Sequence, residues 1–535
     1  MVYSYKGDGK MKNKKELLLI VFFILLQTII YIFVGSHKAY LHIDEAYSFG
    51  LTNYDKIDIE SNQDFFNTWH SKEYYEDYLA VQEKDKGNYI PVYENQKNDV
   101  HPPLYYLLLR MCMEFTNGHV SIWPGIILNI ILYAFITVFM YFILKKLFHD
   151  TNSLNMKALV LAFMSSIILA SLSNVINIRM YALSTLNILI TTFLHIKLLE
   201  NEKIHVKLLI MIGASVLLGI LTHYYYLFYI AILYVVFLIK YLKEKQVKSL
   251  LYYSLTMIIA GILSLIIFPY SISHMFFGYR GQGVMSNLTN IHEIIPSMFS
   301  QIYTLNYYSF NGLLPVILLI IAILLVINKI RKKYFLKLTM KEKQILKILC
   351  IPTIFFFVIT SIVSPWKVLR YIVPVCGLLF VLAIYCIYVL LKNGFTEKIA
   401  NICVAILLCI ILVAPIPLHL KPELLYNDRK EIVQHINGEL NLPTMYVFNS
   451  QTGGFLDDIF IFSKINDSFI AKDMDCTSST IQTIFENKDI SKGILVFIND
   501  GQNNDTIIDT VKSSLHFTNC DHLQKLSCCQ VYHIY

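Results

Sequence analysis

Two adjacent carboxylates, Asp44 and Glu45, follow about ten residues after the first long apolar run, in His42-Ile43-Asp44-Glu45-Ala46-Tyr47-Ser48. A third acidic residue opens the stretch Asp99-Val100-His101-Pro102-Pro103-Leu104-Tyr105-Tyr106. Further polar groups interrupt apolar sequence at Arg179-Met180-Tyr181, Thr222-His223-Tyr224, Tyr279-Arg280, and Lys367 with Arg370-Tyr371. A carboxylate held close to a hydroxyl serves as a general base. An arginine fork matches the oxygens of a phosphate. Histidine serves a metal or a phosphate. Together these residue types suit a site that handles an anion and moves a proton.

The elements that position them are membrane helices. The chain has 535 residues, 56% hydrophobic and 16% charged, which places it in the membrane class. Apolar runs long enough to cross a hydrocarbon core of about 30 Å recur along it. The first, about 16–34, follows the basic residues Lys10, Lys12, Lys14 and Lys15 and lacks an Ala-x-Ala exit, so it reads as a retained anchor rather than a signal peptide. Basic loops mark the cytoplasmic side. Alternating the runs between these loops gives about eleven spans, near 16–34, 121–144, 157–173, 180–197, 206–221, 224–240, 249–271, 311–328, 346–364, 369–391 and 399–417. The run 102–115 is short for a crossing and is expected to lie against the outer face, entered through Pro102 and Pro103, with Arg110 reaching the interface.

The expected domains are a cytoplasmic tail (1–15), a membrane module (16–417) with a first outer loop at 35–120, and a C-terminal outer domain (418–535). Residues 35–102 carry thirteen Asp and Glu against six Lys and Arg. Past residue 418, short strand-like runs (445–449, 494–499, 530–535) alternate with helix-like ones (429–440, 506–515), the pattern of a small α/β domain. The ten cysteines show no metal-like spacing; Cys476, Cys520, Cys528 and Cys529 leave a disulfide open in this domain. The net charge of +7 is spread over short loops and speaks for membrane orientation, not nucleic acid.

With this topology the unusual polar groups fall at outer helix ends. Charges near hydrocarbon cost roughly 2.5–3.5 kcal/mol at a helix centre, so they face a cavity or a partner. Each also has a structural role open to it. Asp44-Glu45 fit an N-cap and first helical turn, Arg179 and Arg370 fit snorkelling anchors, and His223 fits a packed, hydrogen-bonded core position. The glycine-spaced stretch 272–310 reads equally as a gate or as a connector. Tyr105, Tyr224 and Tyr279 offer aromatic faces suited to interface belts or sugar rings.

In these motifs the chain resembles the membrane-embedded GT-C glycosyltransferases, of the kind that includes protein O-mannosyltransferases and the aminoarabinose transferase of lipid A. The matching residues are Asp44-Glu45-Ala46-Tyr47-Ser48, His101-Pro102-Pro103-Leu104-Tyr105-Tyr106, Arg179-Met180-Tyr181-Ala182-Leu183, Thr222-His223-Tyr224, and Arg370-Tyr371 with Pro374, over residues 15–420. The resemblance implies a GT-C-like bundle with outer-face interfacial helices, a polyprenyl-phosphate-linked sugar donor, and transfer to a glycan, protein or lipid acceptor on the outer face of a bacterial cytoplasmic membrane. It makes Asp44 and Glu45 the catalytic pair, and Asp99 a ligand of a divalent metal or of the lipid phosphate. His101 and His223 match family positions as candidate metal ligands; relatives are not uniform in using a metal, and no organic cofactor is implied.

The residues support the same chemistry. Balancing the charge on a polyprenyl phosphate makes it a good leaving group, a role for Arg179, Arg280 and Arg370 with Tyr181, Lys367 and Tyr371 beside them. An acceptor hydroxyl needs a base, and Asp44 fits; a single displacement inverts the anomeric carbon. A transporter or flippase of a lipid-linked saccharide is the main rival. It would place its ionisable groups near the midplane on broken helices with inverted repeats, whereas here they gather at one face and no repeat stands out.

Overall fold

In the computed structural model, described for residues 5–53, 59–148, 154–201, 205–331, 338–438, 440–472 and 477–535, all eleven expected apolar runs are helical. Among the described residues, seven helices are long and apolar enough to cross a membrane: Lys14–Ser36, Trp123–Leu147, Tyr181–Glu200, Tyr226–Lys243, Val247–Ile267, Met340–Val363 and Leu369–Gly394. The chain is a multi-pass membrane protein by this pattern. One expected span, 157–173, is bent, and the helix of the expected span 311–328 makes a sharp angle with the helix before it. Met156–Ile167 and Leu169–Ile176 meet at 57°, and Ile291–Phe310 and Leu314–Ile330 at 88°. The second bend has a local cause: Asn311 and Gly312 both take positive φ (51° and 82°), which ends one helix and redirects the chain. Val206–Ile220 and Glu397–Val413 are helices of only 15 and 17 residues.

The described residues form two compact units. The helical unit comprises Met1–Gly35, Val100–Tyr105 and Ile127–Glu423. Its central helix, Leu369–Gly394, is 72% buried over its apolar window and packs against the helices at 156–167, 169–176, 181–200, 291–310, 314–330, 340–363 and 397–413. Val247–Ile267, by contrast, is 17% buried, with Leu251, Leu255, Ile258, Ile262 and Ile266 exposed, as a lipid-facing helix requires. The glycine-spaced stretch 272–310 is helical, not a disordered connector. It is a π-helical turn (Ser273–Phe277) followed by the helices Tyr279–Thr289 and Ile291–Phe310. The Asn287 amide donates to the Val363 and Ser364 carbonyls, so this helix is tied to the end of Met340–Val363.

The mixed unit comprises Ser36–Asp99, Tyr106–Ile126 and Leu424–Tyr535. The first outer loop, expected within the membrane module, therefore groups with the C-terminal part. Its core is one six-stranded sheet: β1 Trp69–Ser71, β2 Thr444–Phe448, β3 Asp467–Lys472, β4 Ile494–Asn499, β5 Cys520–Lys525 and β6 Cys529–Ile534, in the order β1-β3-β2-β4-β6-β5. β2 runs parallel to β3 and β4; the other pairs are antiparallel. Met445, Val447, Phe469, Val496 and Ile498 bury one face against Ile481, Phe485, Ile507 and Val511. The loop joins this sheet through β1 and through aromatic packing: Trp69 on Phe469 and Phe485, Phe65 on Phe455, Phe66 on Phe448. Cys520, Cys528 and Cys529 are free thiols, and Cys476 lies outside the described residues.

The run 102–115 forms the helix Leu104–Met113, entered just after Pro102-Pro103 as expected. Arg110 does not reach the interface. Its side chain is completely buried, donating from Nη1 to Thr52 O (3.0 Å) and Asn53 Oδ1 (2.9 Å) and from Nη2 to Asp85 O (2.6 Å). Three oxygens of the folded loop recruit the guanidinium more strongly than a headgroup layer does.

Candidate functional site

In the helical unit, breaks between helices present the polar groups. Asn177–Met180 joins Leu169–Ile176 to Tyr181–Glu200 and carries Arg179. The Val175 and Asn177 carbonyls here accept from one buried amide, Asn129 Nδ2, at 3.1 and 2.8 Å. The turn Leu221–Tyr225 carries His223. It is tight because Gly219 lies under the Tyr226 ring, where a Cβ would come within 2.4 Å. The Leu104 amide donates to Leu221 O (3.1 Å), fixing the His101-Pro-Pro entry to that turn.

These contacts bring separated residues together. Arg179 Nη2 stands 3.5 Å from His101 Nε2. The His101 and His223 rings lie 6.1 Å apart, and Tyr181 is 5.5 Å from His223. Tyr371 contacts Tyr181 (6.3 Å) and Tyr225 (5.8 Å), and Tyr225 contacts His223 (5.0 Å). From Tyr371 the cluster continues to Arg370 and then to Trp366, whose ring also carries Arg280, itself stacked on Tyr279. Arg280 reaches its place because Gly281 lets the helix start close to the Met275 carbonyl, which a Cβ would meet at 2.1 Å. Arg179, Arg280 and Arg370 thus belong to one aromatic-lined cluster.

His223 stays neutral there. Burial pushes its pKa well down, and the positive charge around His101 and Arg179 pushes the same way. Its Nδ1 accepts the Tyr225 N–H (3.0 Å), which assigns the remaining proton to Nε2.

The two histidines do not fit the metal centre suggested for them. A guanidinium faces His101 Nε2, and His223 Nδ1 is taken by the backbone. Among the described residues no group of three or more His, Cys, Asp or Glu has the geometry to hold a metal ion. Two imidazoles beside an arginine suit an anion better than a divalent cation.

Other expected residues make contacts of their own. Lys367 Nζ donates to Ser364 O (2.7 Å) and Ile362 O (3.0 Å), capping the end of Met340–Val363. Tyr224 OH pairs with His274 Nδ1 (2.9 Å), and Tyr105 is fully buried. The sequence reading missed Trp366, Tyr225 and Glu423. Glu423 is a half-buried carboxyl hydrogen-bonded to Tyr308 and within electrostatic reach of Arg370; burial raises its pKa, against the pull of Tyr308 and Arg370.

The carboxylates belong to the mixed unit. Asp44 and Glu45 open the helix Ile43–Asn53, so the first-turn role also holds. The Asp44 side chain is 23% exposed, its Oδ2 3.6 Å from His42 Nδ1, and its N–H donates to that same nitrogen (3.0 Å). Glu45 is fully buried: Oε2 accepts from Lys38 Nζ (2.9 Å) and from the His42 N–H (2.8 Å). Asp99 ends the helix Ile90–Asn98, which packs against Ile43–Asn53. The chain passes from this unit to the helical one between Asp99 and Val100.

The fold is thus that of a multi-pass helical membrane protein bearing a small α/β unit. Residues 100–269 match the family model of the dolichyl-phosphate-mannose-protein mannosyltransferases, the kind of protein the motifs resemble. That segment holds His101, Arg179, Tyr181 and His223. Among solved structures, the chain is similar to ArnT from Cupriavidus metallidurans bound to undecaprenyl phosphate (10% identity, 96% of this chain and 97% of that one covered, TM-score 0.48). It is similar also to ArnT from the same organism in the apo state (10% identity, the same coverage, TM-score 0.45). No curated protein sequence matches it.

Proposed function

We propose that the protein transfers a sugar from a polyprenyl-phosphate donor to an acceptor hydroxyl at the outer face of a bacterial cytoplasmic membrane. The observation that carries this reading is the union of Arg179, Arg280 and Arg370 in one aromatic-lined cluster. Three guanidiniums with the neutral His223 imidazole in the same cluster call for a multiply charged anion, and the aromatic faces suit a sugar or a prenyl chain. The family-model match over residues 100–269 supports the same donor class.

In the reaction, the acceptor oxygen attacks the anomeric carbon and the bond from that carbon to the phosphate oxygen breaks. The leaving phosphate keeps the electron pair, and the arginines stabilise the charge that develops on it. The acceptor's proton passes to Asp44, the partly exposed member of the acidic pair. One displacement inverts the anomeric configuration. The acceptor is a glycan, a protein or a lipid. The C-terminal domain lies outside with the acidic loop.

The test is a lipid assay. Full-length protein in nanodiscs is given donor lipids extracted from cells lacking it, and free polyprenyl phosphate is measured. Wild type releases it; Asp44→Asn retains donor binding and releases none. Movement of intact donor across the bilayer without cleavage would make the protein a flippase. Full release by Asp44→Asn would remove Asp44 from the mechanism.

A further inference from the structure

The turn that carries Asp44 is held from behind by Lys38 and by Glu45, the second member of the acidic pair, neither of which takes the proton in the reaction above. Lys38 and Glu45 form an ion pair with both side chains fully buried. Lys38 Nζ also donates to Leu424 O (3.0 Å), 386 residues away, and lies over the Tyr426 ring (5.6 Å). One residue on, the Ala39 N–H donates to Leu425 O (2.8 Å). Arg429 stacks on both Tyr426 and Tyr40, at 4.7 and 4.5 Å, and bonds the Ser527 hydroxyl in the turn between β5 and β6. Tyr40 OH donates to Asp458 in the same unit. Residues 38–40, just ahead of that turn, are therefore clamped by the first residues of the C-terminal part, and Lys38 passes the hold on to Glu45.

A buried ion pair is a poor source of stability. Desolvating two charges costs several kcal/mol per ion, and apolar residues of similar volume often replace such pairs at no loss. What this pair supplies is direction. Glu45 Oε2 takes the His42 N–H and the Lys38 ammonium together, which sets the first turn of Ile43–Asn53. Asp44, the neighbouring residue in that turn, is set with it, its amide held by His42 Nδ1.

We propose that Lys38 and Glu45 are positioning residues that fix Asp44 for proton transfer, and that the C-terminal domain is a working part of the site because its entry segment 424–429 is the other half of the clamp. The inference rests on the proposed role of Asp44 as the base. A carboxylate free to swing away from its reacting geometry loses rate without losing donor binding.

The test uses full-length protein in nanodiscs, with Lys38→Met and with the charge-neutral double variant Lys38→Met/Glu45→Gln. The double variant leaves no unpaired buried charge, so it guards against misfolding of the single one. Three quantities are read: the rate of polyprenyl phosphate release, the Kd for undecaprenyl phosphate, and the Tm. The expected result for the double variant is a 10- to 100-fold fall in kcat, with Kd unchanged within about twofold and Tm near wild type. A role in folding alone would lower Tm or yield and leave kcat per folded molecule intact; that outcome overturns the inference. So does a loss confined to Kd. A normal rate in the double variant beside an inactive Asp44→Asn overturns this inference alone. Full activity in Asp44→Asn overturns the base assignment and this inference with it.

Discussion

Arg280 and Arg370 share one indole: their guanidinium carbons stand 4.5 and 5.5 Å from the centre of the Trp366 ring. Two cations against the same face-bearing group repel each other, and the ring's quadrupole offsets only part of that cost. An anion relieves it. The indole is itself 48% exposed.

Arg280→Ala and Arg370→Ala should each weaken undecaprenyl phosphate binding by about 10- to 100-fold. A charge-assisted hydrogen bond contributes about 1.5–3 kcal/mol. Trp366→Ala removes only the platform and should cost a few-fold, in line with about 0.5–1 kcal/mol for an exposed cation–π contact. Titration of the lipid into nanodisc-embedded protein measures all three. An unchanged Kd in both arginine variants would break the link between this cluster and a phosphate.

Arg110 tests a different claim, that the first loop is pinned by a buried charge. Its guanidinium satisfies Thr52 O, Asn53 Oδ1 and Asp85 O at once and has Glu114 within 3.8 Å. Arg110→Ala leaves these acceptors without their donor and should destabilise the unit by on the order of 3–5 kcal/mol. Arg110→Lys should recover little, since one ammonium does not span oxygens that a planar fork reaches together. Thermal unfolding and limited proteolysis of residues 83–88 follow the effect. A Tm unaltered by Arg110→Ala would show the loop to be held by other contacts.

The arginines were legible in the sequence because each breaks an apolar run, where a charge is costly and so conspicuous. Trp366 and Tyr225 were not, since aromatic residues abound at every helix end of a membrane protein. Lys38 carried no local signal: it is one lysine in an acidic loop, and its partners are Glu45, seven residues on, and a carbonyl 386 residues on. β1 has three residues, too few for an alternating pattern, and is a strand only because β3 offers an edge. The helix Tyr279–Thr289 hid behind glycines, which lower helix propensity but here permit close backbone packing. Span length was the clearest signal and span straightness the weakest. The positive φ of Asn311 depends on how the flanking helices pack, not on the residue type alone.

Asp458 gives the mixed unit a pH dependence of its own. Burial raises its carboxyl to about 7, against the hydrogen bonds from Cys529 and Tyr40 and the charge of Arg429; Asp457 pushes it further up. The folded protein therefore holds this proton more tightly than the unfolded chain. The stabilisation it brings is complete below the unfolded pKa, near 4, and is lost as pH rises through 7. Asp458→Asn keeps a neutral group in place, so its Tm should exceed wild type at pH 8 and match it near pH 4. Parallel Tm–pH curves for the two proteins would refute the assignment.

Glu423 should act against Arg370. Its carboxyl is bonded to Tyr308, its backbone N–H donates to Ser173 Oγ (3.0 Å), and its charge partly neutralises the guanidinium that the phosphate needs. Glu423→Gln keeps the shape and the Tyr308 contact but removes the charge, so undecaprenyl phosphate should bind several-fold tighter, opposite in direction to Arg370→Ala. Because burial raises the Glu423 pKa above the usual glutamate range, falling pH discharges wild type itself. The advantage of Glu423→Gln should then be full at pH 8 and shrink as the buffer is taken down through that raised pKa. Comparing the two proteins at each pH cancels the titration of the lipid phosphate, which affects both alike. A Gln variant that binds no better than wild type at pH 8 would show that the Glu423 charge does not reach the ligand through Arg370.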